Sequence, residues 1–252
     1  MTAKANDTRF ANIGFQDFRR LAADPTLSSY EKIGFPDAYR EGMEAAIHAD
    51  ILAKLPPLRR TGAVVLDVGP GCSDLPRMII DDTQRLGQPL YLVDSAEMLA
   101  LLPDREGLSK TAAFYPECPE LLAALAGRVD AVIVYSVLQY IFVDTNLWRF
   151  LDATLALLAP GGHLLLGDIP NVSMRKRFFD SDTGKQFHRD FTGRDEDPVV
   201  AHNTVEPGVI DDAVVFALLQ RARAAGFHGY VLPQPEALPM HNRREDVLII
   251  RP

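Results

Sequence analysis

The first residues along the chain that could do chemistry are a carboxylate and the glycine-rich turn that follows it. The turn reads Asp-Val-Gly-Pro-Gly from Asp67 to Gly71 and directly follows an apolar run at 63–66. Glycines in such a turn let the backbone bend sharply and approach a ligand without interference from a Cβ atom. A dinucleotide site prefers a third glycine three residues after Gly71, where this chain carries Asp74. Because a carboxylate is unfavourable beside a pyrophosphate, the pattern disfavours a nicotinamide dinucleotide.

A second carboxylate ends the next apolar run. The run 90–93 is followed by Asp94, at the place where the second strand of a mononucleotide-binding half carries an acid for two ribose hydroxyls. The alternative for Asp94 is to cap the N-terminus of a helix. Met98, a little further on, either covers an adenine face or belongs to the apolar core. The register of Asp94 with the glycine turn favours the ribose role.

Strands and helices must alternate to bring these residues together. Short apolar runs and two late segments predict strands at 63–68, 90–93, 130–135, 163–167, 229–232 and 246–250. Helical patterns lie at 120–126, 147–158 and 212–225. Such alternation predicts a doubly wound α/β sheet. Prolines punctuate the connection between the last two strands, which indicates a terminal hairpin.

The first sixty residues have a different pattern and are predicted to form a helical N-terminal cap, residues 1–60. Phe10, Phe15, Phe18 and Leu21 recur at helical spacing, and a second helical run spans 37–55 before two prolines stop it. The rest of the chain, 61–252, is predicted to be the ligand-binding domain. Within it, residues 170–208 are polar, turn-rich and longer than a normal connection, which indicates a functional insertion or lid.

A third motif, Leu-Leu-Ala-Pro-Gly-Gly at 157–162, completes a pattern. Together these segments resemble the class I S-adenosylmethionine-dependent methyltransferases of the bacterial small-molecule type, with a looser similarity to those of carbohydrate biosynthesis. The resemblance covers roughly residues 60–170 well and 210–252 in outline. It implies a Rossmann-like, seven-stranded, mostly parallel sheet with an antiparallel C-terminal hairpin, an insertion after strand 5, and S-adenosyl-L-methionine as cofactor.

The resemblance also implies which residues contact the cofactor. Asp67 and the two glycines would surround its methionine part, and Asp94 would bind the ribose. The turn near Tyr115 and Glu117 would lie beside the adenine. The residues with an implied cofactor role are Asp67, Gly69, Pro70, Gly71, Asp94, Ser95, Met98, Ser136, Val137 and Arg40. For Arg40 the alternative is an ordinary exposed helix charge.

Substrate groups are expected beyond the carboxyl ends of the strands, where open α/β sheets bind ligands. Arginine can grip a phosphate or carboxylate in a bidentate manner, which predicts a substrate with an anionic part. The alternative is that these charges are simply solvated. The predicted substrate-binding residues are Gln139, Tyr140, Asn171, Arg175, Arg177, Arg243 and Arg244.

Methyl transfer to an alcohol benefits from a general base, and histidine is the usual choice. His188 in the insertion is the first candidate by location, followed by His241 and Asp168. Each histidine has the alternative of a structural or surface role. Relatives often carry a histidine where this chain has Gln139, and an amide cannot take a proton near neutral pH. No metal site is predicted.

Composition narrows the class of protein further. The 252 residues include 47% hydrophobic and 24% charged residues, with a formal net charge of −8, so a real core is expected and nucleic acid is disfavoured as a partner. The absence of a leader-like or membrane-spanning apolar run predicts a cytoplasmic protein without membrane contact. The leading hypothesis is O-methylation of a small polar metabolite, such as a sugar or nucleotide-linked sugar. The alternatives are a nicotinamide-dependent oxidoreductase and a non-catalytic cofactor-binding module.

Overall fold

The computed structural model describes residues 10, 13–204 and 206–252. In this part of the chain, seven strands form one sheet in the order β3-β2-β1-β4-β5-β7-β6. The strands are β1 (Val65–Val68), β2 (Leu90–Asp94), β3 (Leu108–Ala112), β4 (Val129–Tyr135), β5 (Leu158–Pro170), β6 (His228–Pro233) and β7 (Arg244–Ile250). β7 pairs antiparallel with both β5 and β6, and the other neighbouring strands pair in parallel. The predicted Rossmann-like sheet with its antiparallel C-terminal pair is confirmed.

Helices cover both faces of the sheet. The helices of the N-terminal cap are α1 (Phe15–Ala23), α2 (Ser29–Lys32), α3 (Asp37–Arg40) and α4 (Glu44–Lys54). Those of the ligand-binding domain are α5 (Asp74–Arg85), α6 (Ala96–Leu99), α7 (Pro119–Leu125), α8 (Leu138–Asp144), α9 (Leu147–Leu155), α10 (Val172–Asp180), α11 (Asp182–Thr192) and α12 (Asp212–Ala224). Among the described residues, no helix combines the length and apolarity needed to span a membrane.

The two faces of the sheet carry separate apolar cores. On β4, Val132 and Val134 belong to one cluster, which also contains Phe150 and Leu151 of α9. Ala131, Ile133 and Tyr135 of β4 belong to the other cluster, which includes the buried isoleucines of α4 and α5. Successive side chains of a strand point to opposite faces. A strand covered on both faces is therefore apolar throughout, which is why its sequence reads as a continuous run.

The N-terminal cap is helical, but its second predicted helix is broken. The run predicted over 37–55 divides into α3 and α4 at residues 41–43, where Gly42 has φ +81°. This left-handed conformation favours glycine and interrupts the helical hydrogen bonds. Residues 1–9, 11 and 12 of the predicted cap lie outside the described residues.

The segment 170–208 is more regular than its polar sequence indicates. It begins with two consecutive helices, α10 and α11, followed by an irregular stretch in which Val205 lies outside the described residues. The side chains of Asn171 and Ser181 accept hydrogen bonds from the first N–H groups of α10 and α11. Polar residues that suggested turns are thus the caps of helices.

Removal of a buried aromatic ring tests the packing of the core. Phe150 is fully buried, at 0% exposure, so Phe150→Ala should lower the free energy of unfolding by about 3–5 kcal/mol through the cavity it leaves. Urea unfolding followed by circular dichroism measures this change. The matched control is Phe216→Ala on α12, whose side chain is 62% exposed. Equal losses for the two variants would contradict the described packing.

Candidate functional site

A cleft opens at the carboxyl ends of β1, β2 and β4, where open α/β sheets bind their ligands. The N-terminal cap forms one wall and the glycine turn another. The residues that line the cleft are Phe15, Phe18, Ile33, Phe35, Arg40, Val68, Gly69, Pro70, Gly71, Ser73, Leu75, Val93, Asp94, Met98, Ala113, Phe114, Tyr115, Tyr135, Ser136, Val137, Tyr140, Ile141 and Asp144. Seven of these residues are aromatic, so the cleft suits a flat or apolar ligand portion.

The glycine turn has the backbone that its sequence predicts. Gly69 and Gly71 have φ of +69° and +70°, a region that side chains rarely adopt. A Cβ atom at Gly69 would lie 2.7 Å from Val137, and one at Gly71 would lie 2.7 Å from Ile33 of the N-terminal cap. Both positions therefore require glycine for the conformation and for the close approach of the neighbouring chain.

Asp94 is held by backbone groups at the end of β2. Its Oδ2 accepts from the Gly71 N–H at 3.2 Å and its Oδ1 from the Ser95 N–H at 2.7 Å. Asp94 does not cap the following helix. The N-cap of α6 is Ser95, whose hydroxyl accepts a hydrogen bond from the Met98 N–H. Each carboxylate oxygen keeps a further lone pair for a ligand.

The pKa values of the two predicted carboxylates, Asp67 and Asp94, are raised above their ordinary values. Burial, and then the charge of Asp94, raises the pKa of Asp67 to about 8, and no hydrogen bond from a described residue opposes this shift. Burial raises the pKa of Asp94 to about 6, against the effect of its two backbone hydrogen bonds. Buried carboxylates of this kind favour a cationic or hydrogen-bond-donating ligand, because either restores the charged form.

Met98 combines the two roles that its position allowed. It is 2% exposed and packs with Ala22 and Cys72 in a small third cluster, and it also borders the cleft. Of the two residues predicted to lie beside an adenine, Tyr115 lines the cleft. Glu117 forms an ion pair with Arg149 and is not among the lining residues.

A buried ion cluster lies at the ends of β4 and β5. Asp168 lies within a bulge of β5, between Leu166 and Ile169. Its backbone is left-handed (φ +59°), as is that of Ser136 after β4 (φ +61°). Asp168 Oδ2 accepts from Arg40 Nη2 at 2.7 Å and from Arg244 Nη1 at 2.6 Å, and it also bonds the Ser136 hydroxyl. Arg40 is 4% exposed and stacks 4.4 Å from the centre of the Phe35 ring.

The cluster continues behind the site to β7 and α4. The Asp168 N–H donates to Asp246 Oδ1 at 2.7 Å, and Gln234 Nε2 donates to the same oxygen at 3.1 Å. Lys54 of α4 donates to Asp246 Oδ2 at 2.6 Å and to Asp50 Oδ2 at 2.6 Å. Asp246 is 0% exposed, so its charge needs these partners.

The three predicted bases lie in different surroundings. Asp168 already accepts from three donors at one oxygen, so that oxygen is not free to take a proton. His188 lies half-buried on α11 with its ring 6.1 Å from Phe179, and it is not among the residues that line the cleft. His241 begins a short 3-10 turn, His241–Arg243, where its Nδ1 lies 3.3 Å from the Leu238 carbonyl oxygen, also away from the lining residues.

The predicted substrate residues divide into two groups. Tyr140 lines the cleft, and its neighbour Gln139 donates to the Ser136 carbonyl at 2.8 Å. The other five residues lie on α10, at its N-terminus, or at and just before the start of β7. Most of them form hydrogen bonds or ion pairs within the protein. These contacts join Asn171 to Asp212 and Glu245, Arg175 to Glu206, Arg177 to Asp212, and Arg244 to Asp168, whereas Arg243 has no carboxylate partner among the described residues.

Several lining residues were not foreseen from the sequence. Phe15 stacks against Phe114, with ring centres 4.9 Å apart, and Phe18 meets Tyr140 edge-on at 4.8 Å. The helical spacing of Phe15 and Phe18 marked an apolar helix face, but no sequence pattern showed that this face lies over a ligand cleft.

Several solved structures that resemble this fold are methyltransferases. The N-methyltransferase NodS of Bradyrhizobium japonicum, solved with S-adenosyl-L-homocysteine, is 15% identical with a TM-score of 0.54, and the match covers 94% of this chain and 98% of NodS. The CurJ carbon methyltransferase is 17% identical with a TM-score of 0.54 over 85% of this chain. A SAM-dependent methyltransferase from Aquifex aeolicus is 14% identical with a TM-score of 0.50, over 88% of this chain and 95% of that one.

These likenesses show that the chain has the Rossmann-like fold of S-adenosylmethionine-dependent methyltransferases. The chain spans 56% of the length of the CurJ structure. No protein-family profile matches the sequence, and no curated protein matches it.

Neutralising one member of the buried cluster tests its importance. Asp168→Asn leaves two buried guanidinium groups without their carboxylate, and the free energy of unfolding should fall by about 3–5 kcal/mol. Urea denaturation of both variants measures the change. The control is Asp152→Asn, which removes an exposed pair with Arg221 and should have a much smaller effect. Comparable losses of unfolding free energy in the two variants would mean that the buried cluster contributes no more to stability than an exposed ion pair.

Proposed function

We propose that this protein is an S-adenosylmethionine-dependent methyltransferase that acts on a small polar molecule. The observation that carries the proposal is the pair of carboxylates at the ends of β1 and β2, of which Asp67 is buried and Asp94 is partly buried. Asp94 offers one open lone pair on each oxygen at the cleft wall, which suits the two adjacent hydroxyls of a ribose. Asp67 begins the glycine turn, is 5% exposed and does not itself line the cleft. It lacks a cationic neighbour among the described residues, which suits the positively charged methionine portion nearby.

Other residues of the cleft fit the remaining parts of the cofactor. Met98, Tyr115 and Phe114 offer apolar surface for an adenine ring. Arg40 Nε is buried at the cleft without a hydrogen-bond acceptor among the described residues, which suits the cofactor's carboxylate. When bound, S-adenosylmethionine supplies an activated methyl group for in-line transfer to a nucleophile.

The chain's own residues would position the acceptor and exclude water. Much of the rate of a displacement of this kind can come from alignment of the two reactants, and the N-terminal cap covers the glycine turn through the Ile33–Gly71 contact. We propose oxygen as the methylated atom and a sugar or nucleotide-linked sugar as the acceptor. The arginines of the substrate side support an acceptor with an anionic part, such as a nucleotide-linked sugar. The positions of His188 and His241 away from the cleft lining do not favour either as the base, and a positioning mechanism does not require one.

Ligand binding tests the cofactor directly. Isothermal titration calorimetry of the purified chain with S-adenosylhomocysteine should show saturable, one-to-one binding, while NADH should show none because Asp74 begins α5 where a pyrophosphate would lie. Incubation with methyl-labelled S-adenosylmethionine and a metabolite extract should then yield a labelled product by mass spectrometry. Binding of NADH alone would favour an oxidoreductase, and binding of neither ligand would favour a non-catalytic module.

Loss of the ribose carboxylate should weaken the cofactor complex. Asp94→Ala should reduce the affinity for S-adenosylhomocysteine by about 30- to 100-fold, or about 2–3 kcal/mol, because two hydrogen bonds are lost. Calorimetry measures the affinity, and a thermal melt checks folding. The control is Asp104→Ala, whose side chain is 94% exposed. A folded Asp94→Ala variant with normal affinity would refute the assignment.

The raised pKa values predict how binding depends on pH. Burial favours the protonated form of Asp67 and Asp94. Their contribution to stability in the free protein is therefore present below about pH 4 and is lost as pH rises through about 6 for Asp94 and about 8 for Asp67. A sulfonium, whose charge does not titrate, favours the ionised form. The affinity for S-adenosylmethionine should therefore rise from pH 6 to pH 8, with release of protons.

Calorimetry in buffers of different ionisation enthalpy measures both the affinity and the protons released. The control is Asp67→Asn, in which the rise between pH 6 and pH 8 should largely disappear. An affinity that falls over this range in the unmodified chain would contradict the role of Asp67.

A further inference from the structure

The arginines on the substrate side are not equivalent once their partners are known. Arg175 pairs with Glu206 and Arg177 with Asp212, and both are more than half exposed. Arg244 is buried and donates to the carboxylate and the carbonyl of Asp168. Each of these three arginines therefore has a carboxylate partner within the protein. Arg243 differs from them in this respect.

Arg243 is half-buried but has no carboxylate beside it among the described residues. Its Nη1 donates to Asn242 Oδ1 at 3.0 Å. Burial and the positive charges of Arg244 and Arg175 lower the pKa of Arg243, and the Tyr39 phenol is the group that opposes them. A guanidinium partly withdrawn from water and next to other cations is unfavourable unless an anion joins it.

The surroundings of Arg243 hold its planar group in place. Its guanidinium carbon lies 5.8 Å from the centre of the Phe179 ring and 5.5 Å from that of Phe187, on α10 and α11. Contact with aromatic rings restricts the side chain while its N–H edges remain able to donate. The 3-10 turn that carries Arg243 is also joined to α10, because the Asn171 N–H donates to the Arg243 carbonyl at 3.2 Å.

The position of Arg243 connects it to the cleft. The next residue, Arg244, bonds Asp168, which in turn bonds Arg40 and Ser136, and both of these line the cleft. Tyr39, which acts on the Arg243 charge, precedes Arg40 on α3. Arg243 therefore lies at the junction of the α10–α11 pair and the N-terminal cap. It does not itself line the cleft, so a group that it binds would belong to a part of the acceptor remote from the reacting atom.

We propose that Arg243 binds an oxyanion of the methyl acceptor, a carboxylate or a phosphate, at the junction of the α10–α11 pair and the N-terminal cap. This inference rests on the proposed methyl transfer and specifies the acceptor as an anionic molecule. It also narrows the four arginines of the sequence-based prediction to one. A phosphate of a nucleotide-linked sugar and the carboxylate of an organic acid share the chemistry that a planar guanidinium recognises.

Small anions test the site without the unknown acceptor. Pyrophosphate, malonate and the neutral methyl glucoside are titrated calorimetrically at constant ionic strength into the full chain with S-adenosylhomocysteine present. Pyrophosphate or malonate should bind and the glucoside should not, and the tighter anion indicates phosphate or carboxylate chemistry. Arg243→Gln should weaken the anion by about tenfold or more, and Arg243→Lys should retain part of the affinity.

Arg177→Gln is the matched control, since it removes an exposed, paired arginine from the same region. It should leave anion binding within about twofold of the unmodified chain. Equal binding by the Arg243→Gln variant, or equal weakening by Arg177→Gln, would overturn the proposal. If Arg243→Gln disturbs folding, phenylglyoxal modification of the unmodified chain replaces it. Pyrophosphate or malonate should slow the modification of Arg243 but not of Arg177, and no selective protection would overturn the proposal.

The outcomes separate this inference from the proposed function. If the chain binds S-adenosylhomocysteine normally and the Arg243→Gln variant binds the anion as well as the unmodified chain does, only the oxyanion site is refuted. Failure of the unmodified chain to bind S-adenosylhomocysteine refutes the proposed methyl transfer, even where the anion still binds through Arg243.

Discussion

The carboxylate of Asp168 between Arg40 and Arg244 is the interaction on which the shape of the site depends. Asp168 lies on β5, Arg244 on β7 and Arg40 in the N-terminal cap, so one buried anion joins three separate parts of the chain. Buried charges are tolerated only when they are matched. The wall that the cap contributes to the cleft is therefore set by charge as well as by the packing of its aromatic rings.

The antiparallel pairing of β7 makes this arrangement possible. β7 lies between β5 and β6, and it places Asp246 where it accepts from the Asp168 N–H and from Lys54. The bulge in β5 and the left-handed backbone at Asp168 direct that residue toward Arg40. An irregularity in the strand thus connects the sheet to the cap, and the same irregularity adjoins Ser136 at the cleft.

Local sequence patterns predicted most of the sheet because its central strands are buried on both faces. β3 lacks that signal, since Leu108–Ala112 is a half-exposed edge strand of mixed polarity, and its apolar residues are too few to form a run. The glycine turn and Asp94 were predictable because their register follows from the geometry of the strand–turn–helix unit.

The remainder of the site depends on contacts between distant residues, which no local pattern contains. Arg40 and Asp168 are separated by 128 positions, and Lys54 and Asp246 by 192. The sequence placed arginines on the substrate side, but only the fold shows that Glu206, Asp212 and Asp168 engage three of them. The helices α10 and α11 were missed because their capping residues are the same polar types that form turns.

The long separations within the ion cluster have a consequence for biosynthesis. The N-terminal cap leaves the ribosome before β5 and β7, yet Arg40 and Lys54 bind the carboxylates of Asp168 and Asp246 on those strands. Until β5 has emerged, the buried guanidinium of Arg40 lacks the carboxylate of Asp168. The nascent cap therefore depends, for one of the ion pairs that fix it, on a residue translated 128 positions later.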